Sequence, residues 1–162
     1  MKKYFLTITL LIVTSAMFAQ CPIAKGQAQI NAGLGFSSWG LPVYVGMDYG
    51  IAQDITIGGE LSFRSYSDGG YSSSIIGISG NGNYHFNRIM NIPSNWDFYA
   101  GLNLGFYNWS SPSGYGGNHS SGLGLGVQVG GRYYFNSKWG INLEFGGGNA
   151  ASGGQFGVSF KL

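Results

Sequence analysis

From Gly122 to Phe135 the chain reads GLGLGVQVGGRYYF, and its side chains divide by parity. Leu123, Leu125, Val127, Val129, Tyr133 and Phe135 share one set, and Gly124, Gly126, Gln128, Gly130, Arg132 and Tyr134 the other. Successive side chains of a strand point to opposite faces, so the stretch predicts a two-faced strand. One face is aliphatic with an aromatic end; the other is glycine, amide and a single charge. At about 14 residues it exceeds the common globular strand of ~5–6 and can cross a bilayer at a tilt.

The same alternation recurs along the chain. Gln27 to Ser37 sets Ala28, Ile30, Ala32, Leu34 and Phe36 against Gln29, Asn31, Gly33 and Gly35. Val43 to Ile51 sets Val43, Val45, Met47, Tyr49 and Ile51 against Tyr44, Gly46, Asp48 and Gly50. After a tight turn, Ile55, Ile57, Leu61 and Phe63 oppose Thr56, Gly58, Glu60, Ser62 and Arg64. Ile75 to Phe86 is the weakest strand, with Ile76, Ile78, Tyr84 and Phe86 on its apolar side. Trp96 to Tyr107 alternates clearly, as do Trp139 to Gly146 and the closing Gln155 to Leu162. Composition predicts loops at Tyr66 to Ser74 and Asn108 to Ser121, and a longer turn at Asn87 to Asn95 around Pro93. The count is about eight strands, the smallest size usual for outer-membrane barrels.

Composition decides which face meets the surroundings. Only 9% of residues are charged against 44% hydrophobic and 16% aromatic, whereas a water-facing surface typically carries ~25–35% Lys, Arg, Glu and Asp. The small polar face suits the crowded interior of a narrow closed barrel, with the apolar face turned to lipid. Closure also pairs every backbone N–H and C=O, as hydrocarbon demands. Aromatics gather at strand ends: Tyr49, Tyr84, Phe86, Trp96, Phe98, Tyr133, Phe135 and Trp139 form one expected girdle at the headgroup level.

The first segment stands apart. Lys2 and Lys3 precede an apolar run from Tyr4 to Val13, and small residues surround a cut expected after Ala19. Residues 1–19 therefore read as a secretory signal peptide, 20–26 as a short tail and 27–162 as the barrel domain. Losing Lys2 and Lys3 leaves six basic residues from eight, against six acidic ones, which excludes nucleic acid as an expected partner. Cys21 is the single cysteine, so no intramolecular disulfide forms. Gln20 before it is a poor fit to lipoprotein processing, and the expectation is an exposed thiol in a flexible tail.

The closing Gln155-Phe156-Gly157-Val158-Ser159-Phe160-Lys161-Leu162 resembles the C-terminal assembly signal of outer-membrane barrels through Gln155, Gly157, Phe160 and Leu162. With the leader and the alternation, the chain resembles the small outer-membrane β-barrel family of the OmpA/OmpX type. Asn83-Tyr84-His85-Phe86 through Trp96-Asp97-Phe98-Tyr99-Ala100-Gly101 resembles porin-like outer-membrane domains. The resemblance implies an all-β, up-and-down antiparallel transmembrane barrel in an outer membrane, inserted by the barrel-assembly machinery. It implies no single biochemical activity.

Candidate chemistry is sparse. Asp48, Glu60, Arg64, Arg132, Tyr134 and Glu144 are expected inside, and an interior of about eight strands is only wide enough to be filled by side chains. Salt bridges and hydrogen bonds among Glu60, Arg64, Arg132, Glu144 and Tyr134 should plug it, since buried charges must be paired. An alternative is a narrow porin-like channel for small solutes. An enzyme would rest on His119, Ser120 and Ser121, with Asp68 the only outer carboxylate for the histidine, and His85 expected at the opposite end. Two distant histidines and one terminal cysteine predict no metal site, and no helix follows the glycine runs to cradle a phosphate. Hence no catalytic residue and no cofactor are expected. Trp39, Tyr66, Tyr71, Trp109, Tyr115 and His119 offer stacking surfaces for an extracellular ligand on the outer loops, or mark the membrane interface. The expectation is a monomeric envelope protein with structural and surface-contact roles, membrane lipid its principal partner; a lipid-modifying enzyme and a soluble secreted β-barrel binder are the distant alternatives.

Overall fold

A computed structural model of the chain describes residues 21–37, 40–68, 71–110, 121–149 and 152–162. Eight strands run up and down: β1 (Ala28–Ser37), β2 (Val43–Ala52), β3 (Ile55–Asp68), β4 (Tyr71–His85), β5 (Trp96–Ser110), β6 (Gly122–Tyr134), β7 (Trp139–Gly148) and β8 (Ser152–Lys161). Each pairs antiparallel with the next, and β8 returns to β1 in the register Asn31 opposite Ser159 and Gly33 opposite Gly157. The sheet is a closed barrel. Closure leaves no edge strand to template aggregation.

The two faces are inverted relative to a water-soluble protein. Along β6, Leu123, Leu125, Val127 and Val129 are exposed on the outside, Leu123 at 70%, while inward Gln128 is 5% and Arg132 3% exposed. Val45, Met47, Leu61, Ile78, Leu104, Ile141 and Phe156 continue the exposed apolar surface around the barrel. Soluble monomers seldom expose contiguous apolar patches beyond a few hundred Å². The buried set is instead mostly polar: Gln29, Asp48, Thr56, Asn83, His85, Asp97, Gln128, Arg132, Asn142 and Ser159.

Both ends of the described chain and the β2–β3, β4–β5 and β6–β7 connections lie at one end, called here the turn end; the β1–β2, β3–β4, β5–β6 and β7–β8 connections lie at the other, the loop end. Two sequence expectations fail at the loop end. Tyr66 to Asp68 and Tyr71 to Ser74 are strand and not loop: β3 and β4 pair as far as Asp68 opposite Tyr71. Asn108 to Ser110 likewise extend β5, with Ser110 opposite Ser74. Residues 111–120, including Tyr115, His119 and Ser120, and Trp39 fall outside the described residues. At the turn end, Asn87 to Asn95 contains a one-turn helix, α1 (Asn87–Met90), ended by Asn91 in the left-handed conformation at φ 52°. Phe86 precedes that helix rather than ending β4.

The segment Cys21–Gly26 is no loose tail. It folds under the barrel mouth, where Gly26 N–H donates to Gly50 O (2.8 Å) and Gly50 N–H to Gln27 O (2.9 Å). Ala24 N–H donates to Gln27 Oε1 (3.0 Å). Gly50 is required here, because a Cβ at that position would lie 2.2 Å from Ala24 O. Ile23 is 1% and Cys21 5% exposed, so the expected exposed thiol is in fact buried.

Candidate functional site

The lumen at the turn end is crossed by a chain of buried polar side chains. Arg132, from β6, donates from Nη2 to Asp48 Oδ2 on β2 (2.6 Å) and from Nη1 to Asp97 Oδ2 on β5 (3.1 Å). The pairing with Asp97 is local, since the two residues are cross-strand partners; that with Asp48 spans the barrel. Asp97 Oδ1 accepts from His85 Nδ1 (2.7 Å), and His85 Nε2 meets Thr56 Oγ1 at 3.0 Å. Thr56, His85 and Asp97 are all fully buried.

A second line closes the remaining cross-section. Tyr134 Oη donates to Gln29 Oε1 (2.5 Å), Gln29 Nε2 to Asn31 Oδ1 (2.8 Å), and Asn31 Nδ2 to Asp48 Oδ2 (2.8 Å). Tyr44 Oη donates to Asn142 Oδ1 (2.7 Å), Asn142 Nδ2 to Ser159 Oγ (3.0 Å), and Ser159 Oγ to Asn31 Oδ1 (2.7 Å). Every strand therefore contributes an inward residue to this plug.

Above it, Tyr99 lies across the lumen. Arg132 Cζ stands 4.3 Å from its ring centroid, and its hydroxyl donates to Glu144 Oε2 (2.8 Å). The ring passes directly over Gly130, where a Cβ would lie 2.3 Å from Tyr99 Cζ; glycine is the space the ring occupies. Gln155 Nε2 donates to both Glu60 Oε2 and Glu144 Oε1 at 3.0 Å. Arg64, higher still, donates to Ser37 Oγ (3.0 Å). Beyond these lies a vestibule of about 120 Å³ opening at the loop end, lined by Glu60, Arg64, Asn103, Tyr107 and the small inward positions Gly124 and Gly146.

This arrangement corrects the sequence reading of the interior. Arg132 pairs with Asp48 and Asp97, not with Glu60 or Glu144, because the latter sit nearer the loop end. Among the described residues Glu60, Arg64 and Glu144 make no salt bridge. Tyr134 turns to Gln29. Asp97, Thr56, His85 and Gln29 join the network although the sequence reading of the plug does not include them; each occupies the inward parity of its strand. Of the eight strand-end aromatics, Tyr49, Tyr84, Trp96, Phe98, Phe135 and Trp139 are outward and exposed, and Phe86 and Tyr133 are part-covered. Trp96 and Tyr133 pack at 4.7 Å, as do Trp139 and Phe160. Gln155 and Gly157 face inward, and Leu162 is exposed at 60%.

Thr56, His85 and Asp97 reproduce the order hydroxyl–imidazole–carboxylate of a hydrolase triad. All three are buried among the described residues, and the triad order by itself assigns no reaction. Cys21 reaches the same place from below: its thiol and donor atoms of His85 and Asp97 lie within 4.8 Å of one another. Two distant histidines and a terminal cysteine predict no such grouping; one of those histidines, His85, nonetheless meets the cysteine here, beside Asp97. Burial, with the Asp97 charge adding to it, pushes the Cys21 thiol up to about 12, and it donates to Ile23 O at 3.3 Å.

Solved structures share this architecture. OprG from Pseudomonas aeruginosa superposes with a TM-score of 0.68 at 10% identity, over 88% of this chain and 99% of that one. The N-terminal barrel of P. aeruginosa OprF gives 0.64 at 15% identity, over 85% and 98%. Neisserial surface protein A gives 0.58 at 19% identity, over 84% and 95%. This is the fold of the small outer-membrane β-barrels. No family model and no curated relative matches the sequence. Identities this low carry the architecture and not the role.

Proposed function

We propose that the protein resides in an outer membrane as a monomeric, plugged barrel that serves envelope structure and surface contact rather than solute flow. The observation that carries this reading is the unbroken crossing of the lumen from Asp48 through Arg132 and Asp97 to His85 and Thr56, backed by the Cys21–Gly26 segment beneath. Glycine and other small residues are concentrated in the loop-end half, so the vestibule stops at the level of Glu60 and Glu144. The exposed apolar exterior supports membrane lipid as the main partner. Residues 1–19 would direct export, and Gln155, Gly157, Phe160 and Leu162 would engage the barrel-assembly machinery. The eight aromatics near the turn end would sit at the headgroup level. Loop-end residues would meet any extracellular ligand.

The test is refolding of the chain without residues 1–19 into lipid vesicles, followed by unboiled gel mobility and planar-bilayer recording. A heat-modifiable band without current is expected. Steady single-channel current from the wild-type protein would replace this reading with a narrow porin-like channel, and folding in plain buffer would refute membrane residence.

A further inference from the structure

The contact between the N-terminal segment and the plug brings three different metal-donor groups together at the turn end. His85 and Asp97 stand on adjacent strands, and their Nδ1 and Oδ1 are already 2.7 Å apart. Cys21 lies on a segment held to the barrel by a few hydrogen bonds, and its thiol, one ring nitrogen of His85 and one carboxylate oxygen of Asp97 fall within 4.8 Å of one another. All three residues are buried, at 5%, 0% and 0% exposure. We propose that Cys21, His85 and Asp97 form a binding site for one thiophilic divalent cation of the Zn²⁺ class. This goes beyond the envelope role and does not depend on it.

Geometry and charge both favour such an ion. Zinc bonds of about 2.0–2.3 Å place tetrahedral ligands roughly 3.3–3.8 Å apart. Nδ1 and Oδ1 therefore part by about half an ångström, and a side chain on the docked segment can bring the thiol to the matching distance. Asp97 brings one carboxylate directly to the thiol; its other oxygen and Asp48 are held by Arg132, while Asp54 is paired with Arg88. The Ile23 carbonyl, 3.3 Å from Sγ, is available for a fourth position.

The balance is simple. The cation replaces the Cys21 S–H proton, which leaves to solvent as a metal–sulfur bond forms. It also takes the place of the proton between Nδ1 and Oδ1, which moves to Nε2 as the imidazole changes tautomer. Thr56 Oγ1, a donor to Nε2 beforehand, then accepts from it, as a hydroxyl can do either. No redox step is involved. Arg132 keeps its bond to Asp97 Oδ2 throughout, in the manner of an outer partner that orients a ligand.

The experiment uses untagged, refolded protein in detergent micelles, titrated with Co²⁺ as a spectroscopic probe and with Zn²⁺ in competition. One equivalent of Co²⁺ should bind with a thiolate-to-cobalt charge-transfer band that Zn²⁺ abolishes. Cys21→Ser should lose the band and weaken Co²⁺ binding at least tenfold, while its unboiled gel mobility stays unchanged. Absence of the band in wild type, or equal affinity in Cys21→Ser, would overturn the proposal. Should His85→Asn fold, it too should lose tight binding, and undiminished binding would count against the site. Stoichiometric Zn²⁺ should also slow alkylation of Cys21 in the wild type at least tenfold; an unchanged rate refutes the assignment without any variant. An acyl chain found on Cys21 in protein isolated from membranes would likewise overturn it.

Discussion

Arg132→Met is the sharpest perturbation of the plug. The guanidinium is 3% exposed and answers two carboxylates that are themselves at most 3% exposed, so removing it strands buried charge. Asp97 keeps its hydrogen bond with His85 at 2.7 Å and Asp48 that from the amide of Asn31 at 2.8 Å, but both lose the cation they share. Breaking a buried pair in this way costs roughly 3–5 kcal/mol. With a urea slope of ~2 kcal/mol/M, the midpoint should fall by roughly 1.5–2.5 M. The assay is reversible unfolding in lipid vesicles followed by tryptophan fluorescence. Adding Asp48→Asn should recover part of the loss, since the stranded charge is gone, giving a coupling of at least ~1 kcal/mol between the positions. A midpoint for Arg132→Met within ~0.5 kcal/mol of wild type, or additive behaviour of the pair, would refute the account of the interior.

Three further outcomes follow from named contacts. Gly130→Leu drives a side chain into the Tyr99 ring, so Tyr99 must leave Glu144; a loss of ~1–3 kcal/mol is expected, with Tyr99→Phe costing only ~1 kcal/mol, both read by urea midpoint. Leu125→Arg, on the exposed apolar face, should destabilise the vesicle-folded barrel by ~2–4 kcal/mol if Leu125 lies near the bilayer midplane, whereas a solvent-facing position would shift less than 0.5 kcal/mol. The Cys21 thiol, raised from 9.0 to about 12, carries about a thousandfold less thiolate near neutral pH than an ordinary one, so alkylation should be at least that much slower in folded than in urea-unfolded protein. The folded state holds this proton more tightly than the unfolded one. Docking of the segment is therefore fully supported below about pH 9 and weakens as pH rises towards 12, which limited alkaline alkylation would reveal.

Strand faces were legible wherever one face meets an apolar exterior. Leu123 to Val129 alternate with Gly124 to Gln128 because the outside accepts only apolar groups, and parity alone places Asp48, Glu60 and Arg132 inside. The signal ends where that constraint ends. From Tyr66 to Asp68 and Tyr71 to Ser74 the backbone goes on pairing, yet Ser, Gly and Tyr carry no two-residue period, so the stretch reads as a loop. Parity gives a side, not a height, which is why Arg132 was matched with the acids of the loop-end half instead of Asp97, its cross-strand neighbour. Cys21 to Gly26 has no periodicity at all. Its docking depends on Gly50 and on the floor of a barrel that exists only after eight strands assemble.

That last dependence sets an order on folding. The first described residues rest against β2 at Gly50 and beneath side chains of β4 and β5, and that floor is complete only when β8 has met β1. The first described segment is therefore among the last to settle, like a latch that drops only once the hoop is shut. Burial of Cys21 becomes a built-in clock for barrel completion: its protection from a thiol reagent should lag behind the appearance of strand structure.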